Sequence, residues 1–282
     1  MTWNQIRWLA IITMTIDHVA LALPLPSITI LGLPLYHVMR MLGRAAFPIF
    51  AFGISQGCSL SHNLKKYLSR LLLFALISEV PFQLALKNGR MSTHLTANNV
   101  FFTLFAGAIC CVIVKHFRAK NAGWIASVPI AAIILLCEIN HTDYGGIGVL
   151  FILIPYIFSD SKKSKIVSFS VVVAFFYIFV SHFSGFQYPQ FSWMYSAGNL
   201  RLVVQDLIGA SLGIVLLIAY NGQKGLSKTK WLFYGYCIFY LFMPFLLICK
   251  VQKKNGQQML LILFCTKTLF KTRDINIGLG AS

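Results

Sequence analysis

Arg7-Trp8-Leu9-Ala10-Ile11-Ile12-Thr13-Met14-Thr15-Ile16-Asp17-His18 is an apolar run that opens on a cation and carries an acid and an imidazole inside it. Nothing in a greasy helix needs Asp17 or His18, so their presence asks for a reason. Eleven residues of α-helix make about three turns, which puts Arg7 and His18 on one face roughly 16 Å apart along the axis. If the run crosses a bilayer, Arg7 marks one rim and His18 is expected near the midplane.

The rest of the chain supports a bilayer. Of 282 residues 57% are hydrophobic and only 11% charged, with mean hydropathy +0.74, whereas soluble domains run near 25% charged. Apolar segments fall at about 8–24, 34–58, 67–86, 99–117, 122–138, 144–158, 166–183, 201–220 and 231–249, with a weaker one at 258–270. Many approach the ~20 residues that span a hydrocarbon core. The expected fold class is therefore all-α, a polytopic helical membrane protein with about nine transmembrane helices, within a range of roughly eight to ten. No linker or repeat divides the chain, so 1–249 is read as one integral domain and 250–282 as an atypical C-terminal tail.

The 24 Lys and Arg against 7 Asp and Glu give a formal charge of +17. Nucleic acid is not the expected partner, because the basic residues lie in short clusters between apolar runs. Lys65 and Lys66, then Lys115, Arg118 and Lys120, then Lys162, Lys163 and Lys165, then Lys224, Lys228 and Lys230 occupy alternate connections. That is the positive-inside bias, and with Arg7 on the same side it places the N-terminus in the cytoplasm. The opposite connections hold Lys87 and Arg90 but few other cations, and Lys250, Lys253 and Lys254 break the alternation. The aromatic stretch 182–199 reads as an interfacial belt. The seven cysteines show no metal-ligand spacing, so neither a zinc site nor a disulfide framework is expected. The first segment reads as a retained span rather than a cleaved signal peptide, since a signal core would not carry Asp17 and His18.

Ionisable groups inside spans cost on the order of 2.5 to 3.5 kcal/mol each at a helix centre, and they tend to mark a substrate, an ion or a reaction. Here they include Asp17 and His18 in the first segment, Arg40 and Arg44 at i and i+4 in the second, and Glu79 in the third. Asn98 and Asn99 open the fourth, Asp143 and Tyr144 the sixth, and Arg201, Gln205 and Asp206 lie early in the eighth. Interhelical ion pairs that merely fix packing, such as Arg44 with Glu79 or Arg201 with Asp206, are one reading. Convergence on a cavity is the other. A histidine titrates near working pH and can take a proton from an amine or hydroxyl. An arginine near the rim can hold a phosphorylated donor.

The runs IITMTIDHVAL at 11–21, MLGRAAFPIFAFGISQG at 41–57, LISEVPF at 76–82, NNVFFTL at 98–104, DYGGIGVL at 143–150 and AYNGQKG at 219–225 resemble, in order and spacing, the TraX family of integral membrane proteins. The resemblance implies an acyltransferase. The name-giving member acetylates the amino terminus of conjugative pilin, and the family is similar to a wider group of transmembrane acyltransferases. That group often carries Arg or Lys, ten residues, then His in its first span, as Arg7 and His18 do. It draws on cytoplasmic acetyl-CoA and modifies an acceptor in or beyond the membrane.

On this reading His18, balanced by Asp17, is the general base. Arg7 holds the donor, Arg40, Arg44 or Arg201 polarise the thioester, and Glu79, Asn98, Asn99, Asp143 and Tyr144 position cations or acceptor. The acceptor would be a pilin or a cell-envelope glycan or lipid, and the setting a bacterial cytoplasmic membrane. Family members tend to place a histidine after the last aromatic segment, and 238–245 has none. A frameshift near 235–242 would account for that and for the tail. The rival readings are a proton-coupled transporter using Asp17, His18 and Glu79, and a catalytically inactive assembly factor.

Overall fold

The computed structural model describes residues 1–22, 27–30, 32–86, 99–176, 197–223 and 225. They form α1 (Trp3–Ala22), a short hairpin of β1 (Thr29–Ile30) and β2 (Leu33–Pro34), α2 (Leu35–Gly43), α3 (Ala46–Leu60), α4 (Leu64–Leu86) and α5 (Val100–Ala119). A 3-10 turn (Gly123–Ala126), α6 (Ser127–Ile139), α7 (Gly145–Ile157), α8 (Lys162–Phe175) and α9 (Ala197–Ile218) follow. The sheet pairs Thr29 with Pro34 and Ile30 with Leu33, antiparallel.

Local chemistry sets the helix starts. The Thr2 N–H donates to Gln5 Oε1 at 2.8 Å, half of a capping box. Asn63 Oδ1 accepts from the Lys66 N–H at 2.9 Å and Ser161 Oγ from the Ser164 N–H at 3.0 Å. Such caps satisfy donors that a helix cannot pair internally. The α7 start is capped from outside, because Glu138 at the end of α6 accepts from the Gly146 N–H at 2.7 Å.

The core lies between two polar ends. Ile6, Ile49, Phe52, Leu71, Phe151, Ile152 and Phe169 are fully buried, and Phe169 meets Phe52 and Phe151 edge-on with centroids 6.0 and 5.9 Å away. At one end the Trp3 N–H donates to Gln223 O at 2.8 Å, and Lys162 Nζ donates to Tyr220 O. Arg118 reaches Ile157 O at the same end. The connections bearing Lys65, Lys66, Lys115, Arg118, Lys120, Lys162 and Lys163 therefore share one end of the bundle, as the alternation of charge predicts.

The outside is apolar in stripes. Val204, Ile208, Leu212 and Val215 on α9, Val167, Val171 and Phe175 on α8, and Leu73, Leu76, Ile77 and Val80 on α4 are all exposed. Their three- and four-residue spacing lays each set along one helical face. Contiguous apolar surface of this kind marks a membrane or a partner. Among the described helices two are long and apolar enough to cross a membrane, Leu35–Leu60 and Val100–Ala119, while Gly123–Ile139, Gly145–Ile157 and Val204–Ile218 are shorter apolar helices.

The expected second segment is not one regular helix. Helix α2 ends at Gly43, and α3 starts at Ala46. The segments expected at 231–249 and 258–270, the tail 250–282, and most of the aromatic stretch 182–199 lie outside the described residues.

A polar cavity at the end of helix α1

His18 is not midway along its helix. Trp3 to His18 is fifteen steps of a 20-residue helix, so the imidazole sits about 22 Å from one end and about 6 Å from the other. There a cavity of about 200 Å³ is lined by Met14, Asp17, His18 and Leu21 of α1, Arg40 and Gly43 of α2, Arg44, and Ala46, Phe47 and Phe50 of α3. Phe82 of α4, Val100 of α5, Asp143 and Tyr144 complete the wall.

Arginines and acids pair across helices here. Arg40 Nη1 donates to Asp17 Oδ2 at 2.6 Å, and Arg44 Nε lies 3.1 Å from Asp206 Oδ1. Asp17 serves Arg40 first, since His18 Nδ1 is 3.8 Å from the same oxygen. The second carboxylate oxygen of Asp17 is buried with no hydrogen-bond partner among the described residues. Gly43 allows the approach, because a Cβ there would stand 2.2 Å from Asp17 Cβ.

His18 Nδ1 lies 2.8 Å from Met14 O. A carbonyl only accepts, so Nδ1 carries the proton and Nε2 becomes the basic nitrogen of the neutral ring. Asp143 belongs to the connection before α7, where its backbone oxygen accepts from Thr103 Oγ1. Burial pushes its carboxyl up to about 6, against the pull of Arg44. Tyr144 is left-handed at φ 64°, and its ring stacks on Phe47 with centroids 3.6 Å apart and planes 5° from parallel.

The structure thus gathers Asp17, His18, Arg40, Arg44, Asp143 and Tyr144 and separates the others. Arg7 is three turns away at the basic end. Glu79 meets neither Arg44 nor the cavity wall. Its carboxylate accepts from Gln83 Nε2 at 2.7 Å, Asn99 Nδ2 at 2.7 Å and the Asn99 N–H at 3.2 Å. Asn99 also donates to Ala75 O at 2.7 Å and caps α5 by accepting from the Phe101 N–H at 2.9 Å. Glu79 and Asn99 therefore tie α4 to the start of α5 rather than reach for a ligand. Asn98 and the Arg201 side chain lie outside the described residues. Sequence reasoning linked Asp206 to Arg201 and missed Phe47, Phe50 and Phe82, apolar residues whose only signal is proximity to Arg44 and Glu79 in the chain.

The TraX protein family profile matches residues 2–249. The chain belongs to the TraX family. An uncharacterized protein of Rickettsia prowazekii is 25% identical over 255 residues, covering 88% of this chain and 92% of its own. A probable fimbrial assembly protein FimC, serogroup H1, of Dichelobacter nodosus is 28% identical over 174 residues, covering 58% of this chain and 66% of its own. No solved structure matches the chain. Family membership and the two long apolar helices make this TraX-family chain a membrane protein.

Proposed function

We propose that this chain is a membrane-embedded acetyltransferase, moving an acetyl group from cytoplasmic acetyl-CoA to an amine or hydroxyl of a pilin or other cell-envelope acceptor. The observation that carries it is the His18 ring, tied through Nδ1 to Met14 O on the wall of a cavity that two arginines share. In this reading Nε2 takes the proton as the acceptor nitrogen or oxygen attacks the thioester carbonyl. The carbon–sulfur bond breaks and the thiol leaves with a proton. Each guanidinium has five N–H donors, so Arg40 and Arg44 keep donors for the developing oxyanion while Asp17 and Asp206 hold them in place. Phe47, Phe50 and Phe82 exclude water from the thioester. The fimbrial relative is consistent with a pilus-related acceptor. The N-terminus lies in the cytoplasm of a bacterial cell, and the remaining helices span with the two long ones, about nine in all.

Mass spectrometry of pilins and envelope glycans with and without the gene tests this. An acetyl difference restored by the wild-type gene and not by His18→Ala is expected. Identical masses in all strains would overturn it.

A further inference from the structure

The described residues hold one pair of strands, the hairpin of β1 and β2, and its register decides which backbone groups are used. Thr29 lies opposite Pro34 and Ile30 opposite Leu33, while the Leu35 N–H donates to Ile28 O at 2.8 Å. Antiparallel pairs alternate between residues that exchange hydrogen bonds and residues that exchange none. Ile28 bonds to Leu35, so the next pair, Thr29 with Pro34, exchanges none. A proline could not donate there in any case. The Thr29 N–H and C=O therefore point away from β2, and neither has a partner among the described residues.

The two edges of the hairpin differ. On β2 the outward position belongs to Pro34, which has no N–H and closes that edge to a further strand. On β1 it belongs to Thr29, which is exposed and offers a donor and an acceptor together. Side chains alternate across a strand, so Ile28 and Ile30 share the opposite face from Thr29. They are 51% and 41% exposed, large apolar groups on either side of an unused backbone pair. The hairpin also sits at the cavity. It follows α1, whose Leu21 lines that wall, and it leads into α2, where Arg40 is five residues or about 7.5 Å beyond Leu35.

We propose that the β1 edge is a docking surface for an extended segment of polypeptide, which adds to the hairpin as a third strand. The peptide residue opposite Thr29 accepts from its N–H and donates to its C=O, and the residues on either side lay apolar side chains on Ile28 and Ile30. A lipid tail has no groups to meet the Thr29 backbone. The same edge from a second copy of the chain would bury far less than the about 800 Å² per partner of a stable interface, whereas a free segment can run on along the cavity mouth.

The test uses the full chain in phosphatidylcholine nanodiscs and a fluorescein-labelled hexapeptide of alternating Thr and Val, read by anisotropy. Saturable binding is expected. In the proposed pairing a Thr of the peptide lies opposite Thr29 and its Val residues meet Ile28 and Ile30. N-methylation of the Thr amides therefore abolishes binding, while N-methylation of the Val amides preserves it. Thr29→Pro, which removes the outward N–H, weakens binding by about threefold to tenfold, as loss of one hydrogen bond does, and Thr29→Ala keeps it. The methylated peptides need no altered protein, so misfolding of a variant does not blunt the test. No saturable binding, or equal weakening by both methylation patterns, overturns the proposal. Native mass spectrometry showing a dimer that Thr29→Pro dissolves would put a second copy on the edge and overturn the peptide as its occupant. None of these results bears on acetyl transfer, and absent acetylation in cells would leave the peptide result untouched.

Discussion

His18 and Asp17 are neighbours in the chain with different partners. Since His18 Nδ1 faces a carbonyl and Asp17 faces Arg40, the acid acts on the histidine by its field across 3.8 Å and not through a hydrogen bond. His18→Ala is expected to lower acetyl transfer by about 10²- to 10⁴-fold, the usual worth of a general base, measured as product formed by purified protein. Asp17→Leu strands Arg40 in a half-buried site and is expected to cost about 1–3 kcal/mol, whereas the double variant Asp17→Leu with Arg40→Met recovers most of it. Thermal unfolding in detergent reads both. If the double variant is no better than the single, the pair is not the unit of stability. Asp143 gives a pH signature. Its carboxyl titrates near 6 when folded instead of 3.8, so between about pH 4 and 6 the folded protein holds a proton that the unfolded chain has released. Stability then falls as pH rises through that window and is level above it. Asp143→Asn removes that slope, visible as a stabilisation relative to wild type that grows from pH 4 to 6.

At the scale of elements, glycine decides how closely helices approach the cavity. Gly43 brings α2 onto Asp17, and Gly209 brings α9 onto the end of α2, where a Cβ would stand 1.9 Å from Met41 O. Both contacts position a salt bridge, Arg40 with Asp17 and Arg44 with Asp206. Gly43→Ala and Gly209→Ala are each expected to cost about 1–3 kcal/mol by overpacking and to reduce transfer more than the loss of stability explains, which stability-matched activity assays would show. The Glu79–Asn99 join is of another kind. Asn99→Ala removes an N-cap and leaves Glu79 short of a buried donor, so it is expected to destabilise by about 1–3 kcal/mol. Its effect on activity should follow its effect on folding. A selective loss of turnover with unchanged unfolding would return Glu79 to the reaction.

At the scale of the molecule, and among the described residues, the lysines and arginines of the connections collect at one end and most of the acids at the other, where Arg40 and Arg44 are paired with them. Asp17, Glu79, Glu138, Asp143 and Asp206 lie toward the cavity end, while Asp160 sits between α7 and α8 at the basic end. On the proposed reading the basic end faces the cytoplasm. Single cysteines placed at Lys115 and at His141, in a chain whose native cysteines are replaced by serine, are expected to react with a membrane-impermeant maleimide from opposite sides, Lys115→Cys only after the cells are opened. Labelling of both from the same side would reverse the topology.

Much of this was legible before any tertiary structure. Hydropathy and charge alternation reveal an all-α membrane chain with one basic side, because lipid and potential act on each segment by its own composition. The motifs around Asp17-His18, Gly43-Arg44 and Asp143-Tyr144 supply candidates for a shared site, since costly intramembrane charges need a reason to stay. Pairing and depth needed the fold. Arg44 could have met Glu79 or Asp206, and only the break after Gly43 and the close approach at Gly209 settle it for Asp206. His18 lies near the end of α1 because that helix begins at Trp3, and Lys165 reads as one more loop lysine until the first turn of α8 packs it against Phe52. Sequence carries the free energy of each residue toward lipid and water, but which residues share a cavity depends on contacts between segments far apart in the chain.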